Sequence, residues 1–156
     1  MSSIVNALNA STLPSKRLEI EITETAVIDD SDQVLSNLKA LRELGVRIAL
    51  DDFGTGYSSL TCLQKLSPDS IKIDGSFVRE LVTNAGSRSI VKSVVYLSRD
   101  LSINVVAEGI ETSEQLNFLR LNDCNEGQGH FLGMPKSATE IGPYLLSTDV
   151  AKISAA

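Results

Sequence analysis

Short apolar runs alternate along the chain with longer stretches whose apolar residues recur every three or four positions. The runs Arg17–Thr23, Val46–Asp51, Ser70–Asp74 and Ile103–Ala107 read as strands, with a weaker fifth at Gln128–Leu132. Between the first two, Val34, Leu35, Leu38, Leu41 and Leu44 mark one face of a helix, and Gly45 stands where a left-handed C-terminal cap belongs. Further helices are predicted over Ser58–Leu66, Phe77–Val82, Ser87–Leu101, Glu114–Leu121 and Ala138–Leu146. Thr112 with Gln115, and Ser137 with Glu140, have the spacing of capping boxes. A short helix at Ile4–Leu8 and a turn at Leu13-Pro14 precede the first strand.

Strand–helix alternation of this kind predicts an α/β fold in which helices cover a parallel sheet. An open doubly wound sheet usually carries a Gly-x-Gly-x-x-Gly turn after its first strand, and none follows Thr23. A TIM-type (β/α)8 barrel instead gathers functional residues at the C-terminal ends of its strands. The polar residues follow that second pattern. Glu21 and Glu24 are placed at or near the end of the first strand, and Asp51 and Asp52 at or near the end of the second. Lys72 and Asp74 belong to the third, Glu108 and Glu111 follow the fourth, and Gln128 opens the fifth. Buried parallel strands are normally continuous apolar runs, so each interruption needs a reason.

The stretch Ala49–Leu60 is the most informative, because an apolar strand runs into two adjacent carboxylates and then a glycine-rich turn. Buried charges are costly unless paired or bound to a cation, and an all-oxygen cluster with little histidine suits magnesium, manganese or calcium. Two such ions about 3.5–4 Å apart can clamp the attacking and leaving oxygens of a phosphoryl-type displacement, with Asp51 as a natural bridge. Lys72 would offset anionic charge or position the nucleophilic water. The bland alternatives are a solvated strand end and a ring of ion pairs around Lys72 that only holds the barrel mouth together. The surplus of acid counts against the ring.

Composition narrows the field. A chain of 156 residues with 42% apolar content and a net charge of −6 fits one acidic globular domain without a basic surface for a nucleic-acid polymer. Such a protein needs metal ions or a local lysine to handle a phosphorylated ligand. No run approaches the ~20 apolar residues of a membrane span, and the N-terminus has no basic segment followed by an apolar core, so a cytoplasmic location without membrane insertion is expected. Cys62 and Cys124 are expected as buried reduced thiols, and the lone His130 as a structural or rim residue.

These residues together resemble the EAL-domain phosphodiesterases that hydrolyse bacterial cyclic di-GMP. The matching segments are Leu18–Thr25, Ala49–Leu60, Ile71–Asp74, Val105–Thr112 and Gly127–Pro135. The resemblance implies that Glu21 and Asp51 bind one metal, magnesium or manganese, and that Asp51 bridges to a second held by Asp52 and Glu108. It implies that Lys72 orients the attacking water and that Gln128 contacts water or substrate. Glu24 would hold the loop from Asp52 through Ser59, whose Phe53, Gly54, Thr55 and Gly56 lie beside the substrate. Glu111 fits the same substrate-side motif with its role open. The implied reaction opens cyclic di-GMP to linear pGpG by water attack at phosphorus.

The same resemblance exposes a departure. The Glu-Ala-Leu strand, with a metal-binding glutamate and a nearby substrate-contacting arginine, is absent from this sequence, as is a following strand with a metal-binding asparagine. Asn6 and Asn9 lie in a predicted helix and do not replace it. The expectation is therefore a single truncated domain over residues 1–156, a partial TIM-type barrel with about five of the eight strands. Residues 1–12 would be an N-terminal helix, 13–147 the matching region and 148–156 a tail. Its partners would be cyclic di-GMP and either a second copy of the chain or a separate Glu-Ala-Leu segment. The alternative is a regulatory module derived from the enzyme that binds cyclic di-GMP or a protein without hydrolysis. A generic metal-dependent barrel with Lys72 as a proton-abstracting base is a third, weaker reading.

Overall fold

The computed structural model describes residues 2–28, 32–56 and 59–146, so the expected tail at 148–156 lies outside the described residues. The fold is α/β, with five parallel strands and flanking helices. It clusters into two compact units, Met1–Lys72 and Ile73–Ala156.

In the first unit α1 (Ser2–Ser11) is longer than the Ile4–Leu8 core suggested. A 3-10 turn at Ser15–Arg17 then delays the first strand: Arg17 N–H donates to the Pro14 carbonyl at 2.8 Å, and β1 runs over Glu19–Thr23. A short helix, α2 (Glu24–Ile28), follows directly, in a stretch to which the sequence pattern assigns no element. α3 (Asp32–Glu43) ends in the anticipated cap. Gly45 has φ +85, its N–H reaches the Arg42 carbonyl at 2.8 Å, and Val46 N–H reaches that of Leu41 at 3.1 Å. These two bonds form a Schellman motif, which requires the left-handed residue.

β2 covers Arg47–Phe53 and pairs with β1 in parallel, Glu19 opposite Arg47 through Thr23 opposite Asp51. Because strand side chains alternate, Ile20 and Ile22 of β1 and Ile48 and Leu50 of β2 share one face. Ile48 and Leu50 are fully buried on the strand against which α3 packs, with Leu38 and Leu41 of α3 and Cys62, Leu63 and Leu66 of α4 (Ser59–Leu66) also in the core. Burying one such aliphatic side chain contributes about 1.5–3 kcal/mol. The opposite face carries Glu19, Glu21 and Thr23 from β1 and Arg47, Ala49 and Asp51 from β2. β3 (Ser70–Ile73) continues the alternation, with Ile71 and Ile73 buried and Ser70 and Lys72 as the polar pair.

In the second unit α5 covers Gly75–Arg79, earlier than Phe77–Val82, because Asp74 caps it by accepting from Ser76 N–H at 3.0 Å. α6 (Ala85–Asp100) is capped by Asn84 and buries Val91, Val94 and Val95. β4 (Asn104–Ala107) pairs in parallel with β5, Val106 opposite Glu126 and Ala107 opposite Gly127. Between them, α7 (Ser113–Leu121) begins with the full Thr112/Gln115 capping box. β5 is only Glu126–Gly127, which corrects the expected strand at Gln128–Leu132. Glycines at 127 and 129 weaken a strand there, and Leu132 N–H turns back to the Gly129 carbonyl at 3.0 Å. α8 (Ala138–Leu146) lies where expected; the Glu140 carboxylate accepts from Ser137 N–H at 3.0 Å. Among the described residues no helix is long and apolar enough to cross a membrane.

Candidate functional site

The polar face of the first unit sorts into two groups along the strands. Toward the strand N-termini, Glu19 Oε2 accepts from Arg47 at 2.8 Å and from the Ser70 hydroxyl at 3.0 Å, a pairing that ties three strands. Further along, Lys72 Nζ stands 2.8 Å from Glu21 Oε1 and 3.4 Å from Asp51 Oδ1. The lysine side chain is 9% exposed, that of Asp51 22% and that of Glu21 51%. An ammonium this far out of water needs anionic partners, and β1 and β2 supply one each. Among the described residues, these two carboxylates face one ammonium, an excess of negative charge in the pair contacts.

Glu21 is the third of five residues in β1, and Lys72 the third of four in β3, near rather than at the C-terminal ends of their strands. What unites them with Asp51 is a shared face. Asp51 Oδ1 is buried and makes no hydrogen bond among the described residues, although Lys72 lies at ion-pair distance. A buried carboxylate oxygen with unused acceptor capacity suits an oxygen-preferring cation.

β2 continues through Asp52 to Phe53. Asp52 has φ +53, a left-handed conformation that Asp adopts more readily than most side chains and that clusters at functional sites. Its carbonyl accepts from Thr55 N–H at 3.3 Å and Thr55 Oγ1 at 2.8 Å, closing the turn. Phe53 is 4% exposed, so it anchors this turn in the core rather than lying in the loop. Gly54, at φ +96, donates its N–H to Glu24 Oε1 at 2.9 Å. A Cβ on Gly56 would fall 2.5 Å from Glu24 Oε2. Glu24, 3% exposed at the start of α2, therefore clamps the glycine turn from beneath. Cys62 Sγ lies 3.8 Å from the Glu24 carbonyl oxygen, and burial together with the Glu24 charge raises its thiol pKa.

In the second unit, half-buried Glu108 follows β4, and its N–H donates to the Ile73 carbonyl at 3.2 Å. Gly109 has φ +69, and a Cβ there would lie 3.1 Å from Gly75 Cα. Gln128 follows β5 with its side chain exposed; its N–H donates to the Ala107 carbonyl at 2.8 Å. Glu111 and His130 are exposed. Asp74 is a helix cap, its carboxyl held below the usual range first by the Ser76 hydroxyl. Among the described residues, no three Asp, Glu, His or Cys side chains are gathered as a ready metal site. Glu21 and Asp51 are brought to one cation, Lys72. The buried amide of Gln115, recognised in the sequence only as a helix cap, also braces the loop after Glu108.

These features define an α/β domain with an acidic, lysine-centred strand face and a carboxylate-clamped glycine turn. The model of the EAL domain family matches residues 1–135, and the chain belongs to that family. The match takes in α1, expected outside it, and stops short of α8. Cyclic di-GMP phosphodiesterase NbdA of Pseudomonas aeruginosa is 38% identical over 145 residues, 93% of this chain and 18% of that protein. Among solved structures, the PaMucR phosphodiesterase in complex with c-di-GMP aligns with a TM-score of 0.84 at 41% identity, covering 90% of this chain and 57% of that one. Klebsiella pneumoniae BlrP1, in a manganese and cy-diGMP complex, aligns at 0.81 and 41% identity over 86% of this chain and 34% of its own. The chain spans about a fifth of the length of the curated relatives it matches.

Proposed function

We propose that this chain supplies the C-terminal part of an EAL phosphodiesterase site and acts in metal-dependent hydrolysis of cyclic di-GMP to pGpG once a Glu-Ala-Leu strand and an asparagine-bearing strand complete it. The observation that carries the reading is Lys72, held between Glu21 and Asp51 on one strand face. In this reading Glu21, Asp51, Asp52 and Glu108 hold magnesium or manganese, with Asp51 shared. The ions, when bound, supply Lewis acidity and stabilise the leaving oxygen. Lys72 donates toward the attacking water and holds it in line, a role suited to a compact ammonium with three donors. Glu24 keeps the Gly54, Thr55 and Gly56 turn, anchored in the core by Phe53, in its working shape, so substrate meets a preformed backbone. The Gln128 amide contacts water or a phosphate oxygen, and exposed Glu111 lies on the substrate side.

Completion can come from the same protein or another copy, and the cytoplasm, where cyclic di-GMP circulates as a signal, is the expected setting. The absence of a ready three-carboxylate group among the described residues favours a second reading, a domain that binds cyclic di-GMP without cleaving it. One experiment separates them. The chain fused to a Glu-Ala-Leu segment is assayed for pGpG by chromatography, with Lys72→Met alongside. Turnover that rises on fusion and falls about 100-fold or more with Lys72→Met supports hydrolysis. Binding without product in the fusion supports the second reading, and undiminished turnover by Lys72→Met overturns the role given to the lysine.

A further inference from the structure

We propose that Gln115 is a positioning residue for Glu108 and Gln128, acting through the backbone of the loop that joins β4 to α7. The proposal rests on the phosphodiesterase reading for the roles of those two side chains. Gln115 is an amide only 4% exposed in the first turn of α7. Its Oε1 accepts from two consecutive backbone donors, Thr112 N–H at 3.0 Å and Glu111 N–H at 2.7 Å. A capping box needs only the first of these. The second, and shorter, bond holds the loop upstream of the helix.

That loop has little freedom elsewhere. Gly109 packs on Gly75, with 3.1 Å between the Cα of Gly75 and the place a Gly109 Cβ would take. Fully buried Ile110 donates its N–H to the Gln128 carbonyl at 3.1 Å and accepts from Phe131 N–H at 3.0 Å. A Cβ on Gly129 would fall 2.1 Å from the Ile110 carbonyl oxygen, so the two segments touch backbone to backbone. Gln128 N–H is fixed in turn to the Ala107 carbonyl at 2.8 Å. Glu108 and Gln128 thus ride on one interlocked pair of segments. Gln115 is its anchor on the α7 side. Losing that acceptor leaves two part-buried N–H groups unpaired and lets residues 108–112 shift, carrying the Gln128 backbone through Ile110.

The test uses the whole chain, with manganese binding read by water-proton relaxation and the exchange of the Glu111 and Thr112 amides read by NMR. Gln115→Met removes the acceptor at similar volume, and Gln115→Glu retains it. Thr112→Ala weakens the helix cap but leaves Gln115 in place, and Glu108→Gln removes the ligand directly. Glu108→Gln and Gln115→Met should each weaken manganese binding about tenfold, with faster exchange of both amides only in the latter. Gln115→Glu and Thr112→Ala should stay within about threefold of the parent. Unchanged binding in Gln115→Met beside weakened binding in Glu108→Gln overturns the inference and leaves the reading of the site intact. No effect of Glu108→Gln overturns that reading and the positioning role together. Equal losses in Thr112→Ala and Gln115→Met reduce Gln115 to helix stability and also overturn the inference. If Gln115→Met does not fold, Gln115→Asn, which withdraws the acceptor by one methylene, takes its place with the same outcomes.

Discussion

Gly56→Ala should destabilise the chain through one side chain, Glu24. The backbone at Gly56 is not in the positive-φ region, so alanine fits its conformation; the conflict lies entirely in the 2.5 Å separation between the new Cβ and Glu24 Oε2. Reaching an ordinary nonbonded distance requires the carboxylate to withdraw by about 1 Å. The 2.9 Å bond from Gly54 N–H to Oε1 cannot survive that shift within hydrogen-bond range. Glu24 is 3% exposed and has little access to replacement water, so the cost should approach that of a charge-assisted hydrogen bond, about 1.5–3 kcal/mol. For a domain of this size that is roughly a 3–12 °C fall in melting temperature. The decisive measurement is a double-mutant cycle by urea denaturation. In a Glu24→Ala background the Cβ has room, and Gly56→Ala should cost under about 0.5 kcal/mol or stabilise by restricting the unfolded chain. A coupling of about 2 kcal/mol is expected. Gly54→Ala is the control, because φ +96 penalises any side chain and its cost should persist in both backgrounds. Equal costs of Gly56→Ala with and without Glu24 would refute the clamp.

Cys124 carries an alkaline prediction: burial is the main cause that pushes its thiol from the ordinary 9.0 up to about 11. A folded pKa above the unfolded value gives stability that is complete below pH 9 and is lost as pH rises through about 11, on the order of 2 kcal/mol at pH 10.5. Cys124→Ala should therefore lose less stability than the parent between pH 8 and 10.5, and identical pH slopes in urea titrations would contradict the assignment. For metal binding, Asp51→Ala should weaken manganese affinity by calorimetry more than Glu111→Ala. Asp51 has a buried oxygen with spare acceptor capacity, whereas Glu111 is exposed, and equal losses in two folded variants would remove Asp51 from the centre of the site.

The order of strands and most helices was legible because apolar periodicity reports which face each element buries. The errors have physical causes. The stretch Thr25-Ala26-Val27-Ile28 is too short for a helical period to show, yet α2 begins at Glu24, whose carboxylate engages the glycine turn thirty residues later, a tertiary bond invisible to local propensity. β5 is two residues long, too short for any period to show, and Gly127 hid it further.

The positions of Glu21 and Lys72 near strand ends have a more particular basis than the premise that buried parallel strands are apolar on both faces. The sequence Glu19-Ile20-Glu21-Ile22 alternates strictly, as does Ser70-Ile71-Lys72-Ile73. Read with period two, each strand has one apolar and one polar face, and β2 matches them with Arg47 and Asp51 around Ala49. Such a face is costly to bury unless its charges meet. Here they meet in two tiers, Arg47 with Glu19 and Lys72 with Glu21 and Asp51. The first tier balances one cation against one anion, as a structural pair does. The second leaves a surplus carboxylate and a buried oxygen without a hydrogen bond, an arrangement that stability alone does not favour. The charge imbalance between two tiers on the same strands, rather than the mere presence of acids, separates the candidate site from the scaffold that carries it.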